Sequence, residues 1–152
     1  MEYVRIHNFP ACKMVSSGDF SPWGNERCRA FEAWFSKQPR SLPYTLDFLT
    51  DGRTQGSLNW MYLLQEGMDV PQEFEVVDFP GGLYAVVCDI DQKTPKSTWK
   101  KRDKFLKKHD FERNPDLPEF GHIVGPLEAL GYGQMDYWFP IRKATSSPAR
   151  QS

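Results

Sequence analysis

With 152 residues and a formal net charge of −1, the chain is the size of one domain and has no chain-wide basic field to hold nucleic acid or an anionic membrane. Aromatic residues make up 14%, and the three cysteines form no CxxC pair, which predicts reduced thiols rather than a disulfide framework. Neither a charged leader nor an apolar run near the ~18 residues of a spanning helix is visible, so the expectation is a soluble, cytoplasmic protein.

Residues 3–18 alternate loosely around Val4, Ile6, Phe9, Cys12, Met14 and Val15, with Pro10 interrupting, and predict a first strand with edge character. Ser21-Pro22-Trp23-Gly24-Asn25-Glu26 supplies helix-start chemistry. Cys28, Phe31, Trp34 and Phe35 then recur at helical spacing up to Pro39 and predict an amphipathic helix packed on a sheet. Residues 44–49 read as a short strand, Asp51-Gly52 with Gly56 as the turn, and 58–64 as the returning strand, in which Trp60 and Tyr62 alternate with Asn59 and Met61.

The second half repeats this order. Asp78-Phe79-Pro80-Gly81-Gly82 leads into Leu83-Tyr84-Ala85-Val86-Val87-Cys88, as Asn8-Phe9-Pro10-Ala11 leads into Cys12-Lys13-Met14-Val15, and Cys88 reads as core. A helix is predicted from about Thr94, with Thr94-Pro95 as cap and first residue, to about His109. A strand around 121–127 and a closing strand at 134–143 follow, and Asn59-Trp60-Met61-Tyr62 falls opposite Asp136-Tyr137-Trp138-Phe139. The expected architecture is an α+β fold in which two pseudo-symmetric βαββ units, about 1–70 and 71–143, share an antiparallel sheet and form a groove at their seam. Residues 144–152 are polar and read as a frayed tail.

Asp136 is the residue that demands an explanation. Strand alternation sends Asp136 and Trp138 to one face and Tyr137 and Phe139 to the other. A carboxylate among aromatics must be paired, hydrogen-bonded or waiting for a cation. Aromatic faces attract cations by roughly 0.5–2 kcal/mol each, so a groove of Trp23, Trp60, Tyr62, Tyr84 and Trp138 around Asp136 would trap flat, weakly hydrated cations with broad specificity. Each aromatic alone serves core packing equally well, and Asp136 could instead be tied to a backbone amide or a nearby Arg or Lys.

The lysine-rich segment around Lys96, Lys100, Lys104 and Lys107 reads as a solvated helix face rather than a nucleic-acid site. His7, His109 and His122 are scattered without ligand spacing, no Gly-rich phosphate loop precedes a helix, and no Ser or Cys sits in a nucleophile context, so neither metal nor cofactor is expected.

The Phe-Pro-Ala and Phe-Pro-Gly-Gly lead-ins, the doubled βαββ order and the closing Asp-Tyr-Trp-Phe-Pro-Ile resemble the GyrI-like domains, which also serve as effector-binding domains of AraC-type and MerR-type multidrug regulators. The resemblance spans about residues 3–143 and implies a module that binds bulky apolar cations around a buried acid. That acid is usually a Glu on the final strand, and here its place falls on Asp136, one methylene shorter, with Glu128 as the competing acid. No DNA-binding segment precedes residue 3, so the expected protein is a free-standing binder of a hydrophobic or cationic small molecule. Two alternatives remain beside it. One is a hydrolase of electrophilic molecules using Asp136 or Glu128 with Tyr84 or Tyr137, and the other is an inhibitor of the gyrase-inhibitor type with a protein partner.

Overall fold

The computed structural model describes residues 4–40, 42, 45–89, 96–124 and 127–145. Among these, strands β1 (Arg5–Phe9), β2 (Cys12–Phe20), β3 (Asp47–Asp51), β4 (Leu58–Leu63), β5 (Glu75–Phe79), β6 (Gly82–Asp89), β7 (Phe111–Arg113), β8 (Phe120–Val124) and β9 (Gln134–Lys143) join one antiparallel sheet with helices α1 (Glu26–Phe35), α2 (Lys96–Lys108) and α3 (Leu127–Leu130). The sheet runs β1-β6-β9-β8-β3-β4-β2-β5, with β7 added beside β9. Exchanging β1 with β5, β2 with β6, β3 with β8 and β4 with β9 returns the same order reversed. The fold is therefore a pseudo-twofold duplication whose centre is the Leu49–Gly121 pairing of β3 with β8.

The register fixes which residues correspond. Val15 pairs with Tyr62 and Ser16 with Met61, as Ala85 pairs with Phe139 and Val86 with Trp138. Thr50 pairs with Asn59 as His122 pairs with Asp136. Asn59 is thus the counterpart of Asp136, Met61 of Trp138, and Trp60 and Tyr62 of Tyr137 and Phe139.

One expected strand is really two. Residues 3–18 do not form a single strand, because the chain breaks at Pro10, which lacks the ladder N–H and has a fixed φ. β1 leaves its own half and pairs with β6, while β5 pairs with β2, so the halves exchange their first strands. The two lead-ins cross at the pseudo-twofold. Gly81, at φ +74°, lies so close to Phe9, Pro10 and Ala11 that an added Cβ would come within 2.5 Å of the Phe9 carbonyl oxygen. A glycine is needed there for both its backbone angle and its missing side chain.

α1 starts where Asn25 caps it, its Oδ1 accepting from Cys28 N–H at 2.9 Å, with Glu26 favourably placed against the dipole in the first turn. Cys28, Phe31 and Phe35 bury one stripe on the back of the first half, against Val15, Trp60, Tyr62 and Phe74. On the back of the second half α2 packs Trp99, Phe105 and Leu106 over Ala85, Val87, Tyr137 and Phe139, and none of its own residues is fully buried. The Thr94-Pro95 start expected for this helix lies outside the described residues. Instead of fraying at once, the chain after β9 returns hydrogen bonds from Ala144 N–H to the Asp110 carbonyl and from Thr145 Oγ1 to Glu112. Among the described residues no helix is long and apolar enough to cross a membrane.

Candidate functional site

β9 alternates as its sequence requires. Tyr137 and Phe139 face back onto Trp99, at 5.6 and 5.4 Å between ring centroids. Trp138 faces front into an aromatic cluster with Phe9, Phe48 and Tyr84 at 5.6 to 6.0 Å. Phe9 and Phe79, carried by the two crossing lead-ins, meet at 4.9 Å and fill the groove at the pseudo-twofold. What stays open lies to the second-half side. It is a cavity of about 960 Å³, walled by β1, β6, Thr98 and Lys101 of α2, and His122, Asp136 and Trp138, with Leu46 and Phe48 from the first half. That volume matches a drug-sized ligand.

Within the cavity wall Asp136 is half-buried and, among the described residues, has neither a hydrogen bond nor an ion pair. Burial pushes its carboxyl above the ordinary carboxylate value, and the nearby His122, Arg5 and His7 offset this only in part. Trp138 carries a buried indole Nε1–H without a hydrogen-bond partner among the described residues. His122 is 5% exposed, sits opposite Asp136 across β8 and β9, stacks on Phe48 at 4.9 Å, and has its Nε2 2.8 Å from the Thr45 carbonyl. The His7 ring lies 5.2 Å from Trp138.

Sequence reasoning overlooked Arg5, His7 and His122. For His122 the signal was the pairing of the last two strands, which places it beside Asp136. For Arg5 and His7 there was no local signal, because β1 reaches the cavity only through the exchange between halves.

The other expected groove aromatics are elsewhere. Trp60 and Tyr62 are core residues on the back of the sheet, against Phe31 and Phe35, with Trp60 Nε1–H donating to the buried Asp47 at 3.0 Å. The reason is strand parity, since they correspond to Tyr137 and Phe139, and the first-half residue at the place of Trp138 is Met61. Tyr84 does face front, but it is fully buried, stacks on Phe120, and donates to the Pro118 carbonyl at 2.9 Å. Burial raises its phenol well beyond the ordinary range. Trp23 is 51% exposed between β2 and α1, 4.9 Å from Trp60 and away from the cavity. Glu128 is exposed on α3 and Tyr137 faces Trp99 on the other side of the sheet from Asp136, while Tyr84, on the same face as Asp136, is buried with its hydroxyl on the Pro118 carbonyl. Cys88 is exposed on the cavity wall rather than in the core. Among the described residues no group of three or more His, Cys, Asp or Glu could hold a metal ion.

No protein-family model and no curated protein matches this chain. Solved structures do. The C-terminal domain of EcmrR superposes with a TM-score of 0.63 at 8% identity, covering 93% of this chain and 98% of that one. A hydrolase from Listeria innocua gives 0.64 at 9% identity, with 93% of each chain covered. SAV2435, solved bound to tetraphenylphosphonium, gives 0.55 at 13% identity, covering 93% of this chain and 94% of that one. With its exchanged βαββ halves and a cavity at their seam, the chain has the fold of the GyrI-like domains.

Proposed function

We propose that this protein binds a bulky apolar small molecule carrying positive charge, in the cavity between β1 and β9, with Asp136 as charge partner and Trp138 as stacking wall. The observation that carries this reading is a half-buried carboxylate without a partner among the described residues, on the wall of a ligand-sized and largely apolar cavity. Such a group costs free energy in the empty protein, and a bound cation recovers it. The cation loses little on leaving water when its charge is delocalised, and it gains contact with the Trp138 face. SAV2435, which shares the fold, was solved with an apolar cation of this class, which supports the reading by analogy.

Titration with tetraphenylphosphonium tests it. Asp136→Asn should weaken binding by about tenfold or more while leaving the circular dichroism spectrum unchanged. Equal affinity in the variant and the parent sinks the idea. The same charge makes binding pH-dependent, and cation affinity should fall as the pH drops through the raised carboxyl value of Asp136.

A hydrolytic reading has one observation in its favour, the cross-strand placement of His122 beside Asp136, which brings a second titratable group to the same wall. It requires turnover of an electrophilic ligand that is lost in Asp136→Asn and kept in Glu128→Gln.

A further inference from the structure

The cavity is not furnished with one sign of charge. Asp136 is its only carboxylate among the described residues, Arg5 and His7 come from β1, and Lys101 of α2 is a further cation on the lining. Arg5 is exposed and, among the described residues, makes no ion pair. Its register partner is Val86, whose own partner on the far side is Trp138, so Arg5, Val86 and Trp138 form one row across β1, β6 and β9. Neighbouring strands lie about 4.8 Å apart, which sets the Arg5 backbone about 10 Å from β9 at Trp138, with Asp136 two residues further along that strand. The Trp138 indole lies in the same row as Arg5, and its buried Nε1–H has no hydrogen-bond partner among the described residues.

A wall built only for cations would keep Arg5 away, because a guanidinium is permanently charged and repels the ligand it helps to enclose. At the counterparts of Arg5 and His7, β5 carries Glu75 and Val77, opposite Ser16 and Met14 of β2. The cationic wall is therefore particular to this half rather than required by the strand.

The geometry points to an amphoteric ligand: a flat aromatic body with a cationic end directed to Asp136 and an anionic end, such as a carboxylate, held by Arg5. This rests on the binding reading above and adds to it the class of ligand. Arg5 supplies a fork of donors suited to a carboxylate. Asp136 and Arg5 also orient the ligand, since a molecule entering reversed meets like charge at both ends.

Rhodamine B and its ethyl ester share one cationic xanthene body and differ in whether the pendant carboxylate is free, so the pair isolates the anionic end. The parent protein should bind rhodamine B about tenfold more tightly than the ester by fluorescence anisotropy. Arg5→Gln should reverse that order by weakening rhodamine B and strengthening the ester, whose like-charge neighbour is gone. Arg5→Lys, which retains the charge, should keep the original preference. Ester affinity equal to or above that of rhodamine B in the parent overturns the inference while leaving the cation-binding reading standing, and so does an equal loss for both dyes in Arg5→Gln. Failure of both dyes and of tetraphenylphosphonium to bind the parent overturns the two together.

Discussion

The two halves of the sheet share one plan and spend their polar residues differently. In the first half buried polar groups are closed on one another. Asp47, 4% exposed, accepts from Trp60 Nε1–H and from Thr45 Oγ1, and Asn59 accepts from Ser16 Oγ at 2.8 Å. In the second half Asp136 stands at the place of Asn59 and Trp138 at that of Met61, and among the described residues the Asp136 carboxylate and the Trp138 Nε1–H make no hydrogen bond. The lesson is that duplication supplied a frame and divergence assigned the roles. The first copy ties Asp47 and Asn59 into hydrogen bonds, while the second carries Asp136 on a cavity wall without one among the described residues.

Three substitutions break or sharpen that comparison. The largest effect falls on the feature both halves share, where their lead-ins cross. Gly81→Ala places a methyl group into the Phe9-Pro10-Ala11 backbone at a positive φ, and should cost about 3 kcal/mol or more in urea unfolding. A loss of under half a kcal/mol, about the level of an ordinary surface change, would show that the crossing can relax.

Next comes the closed half. Trp60→Phe removes the indole donor from a buried carboxylate and should destabilise by about 1–3 kcal/mol without altering tetraphenylphosphonium affinity. A change in affinity larger than the change in stability would place Trp60 in the binding pathway after all.

The smallest effect belongs to the open half, and its sign is opposite. The folded pKa of Asp136 lies above the unfolded value of 3.8, so the folded state binds this proton more tightly. Its contribution to stability is therefore fully present below pH 3.8 and lost as the pH rises through the folded value. At neutral pH the ionised carboxylate is a burden that Asn does not carry. Asp136→Asn should melt slightly above the parent at pH 7, and the gap should close as the pH falls below 3.8. A lower melting temperature for the variant at pH 7 would mean that Asp136 holds the fold together.

Much of this was legible from the residues. Repetition of Phe-Pro before a strand, and of aromatic alternation in the closing strands, pointed to the duplicated α+β plan, and the alignment of Asn59 with Asp136 agrees with the strand register. The same alignment set Trp60 opposite Tyr137. Read with period-two parity, it already separated Trp60 and Tyr62 from the face that carries Trp138, and counting aromatics as a class obscured this. Tyr84 shows a different limit. Its parity is right, yet only packing decides that Phe9, Phe79 and Phe120 cover its ring and close the groove over it.

The sequence by itself determined the elements and their faces, because hydrophobic period, proline breaks and caps act over a few residues. It also determined that one closing strand carries an acid and the other an amide. The tertiary structure decided which charges share a wall. β1 joins β6 only by crossing between halves, and that long-range pairing brings Arg5 and His7 to the cavity of Asp136. No local pattern records such a contact, since it is fixed by how the two lead-ins pass one another and not by the residues of β1 alone.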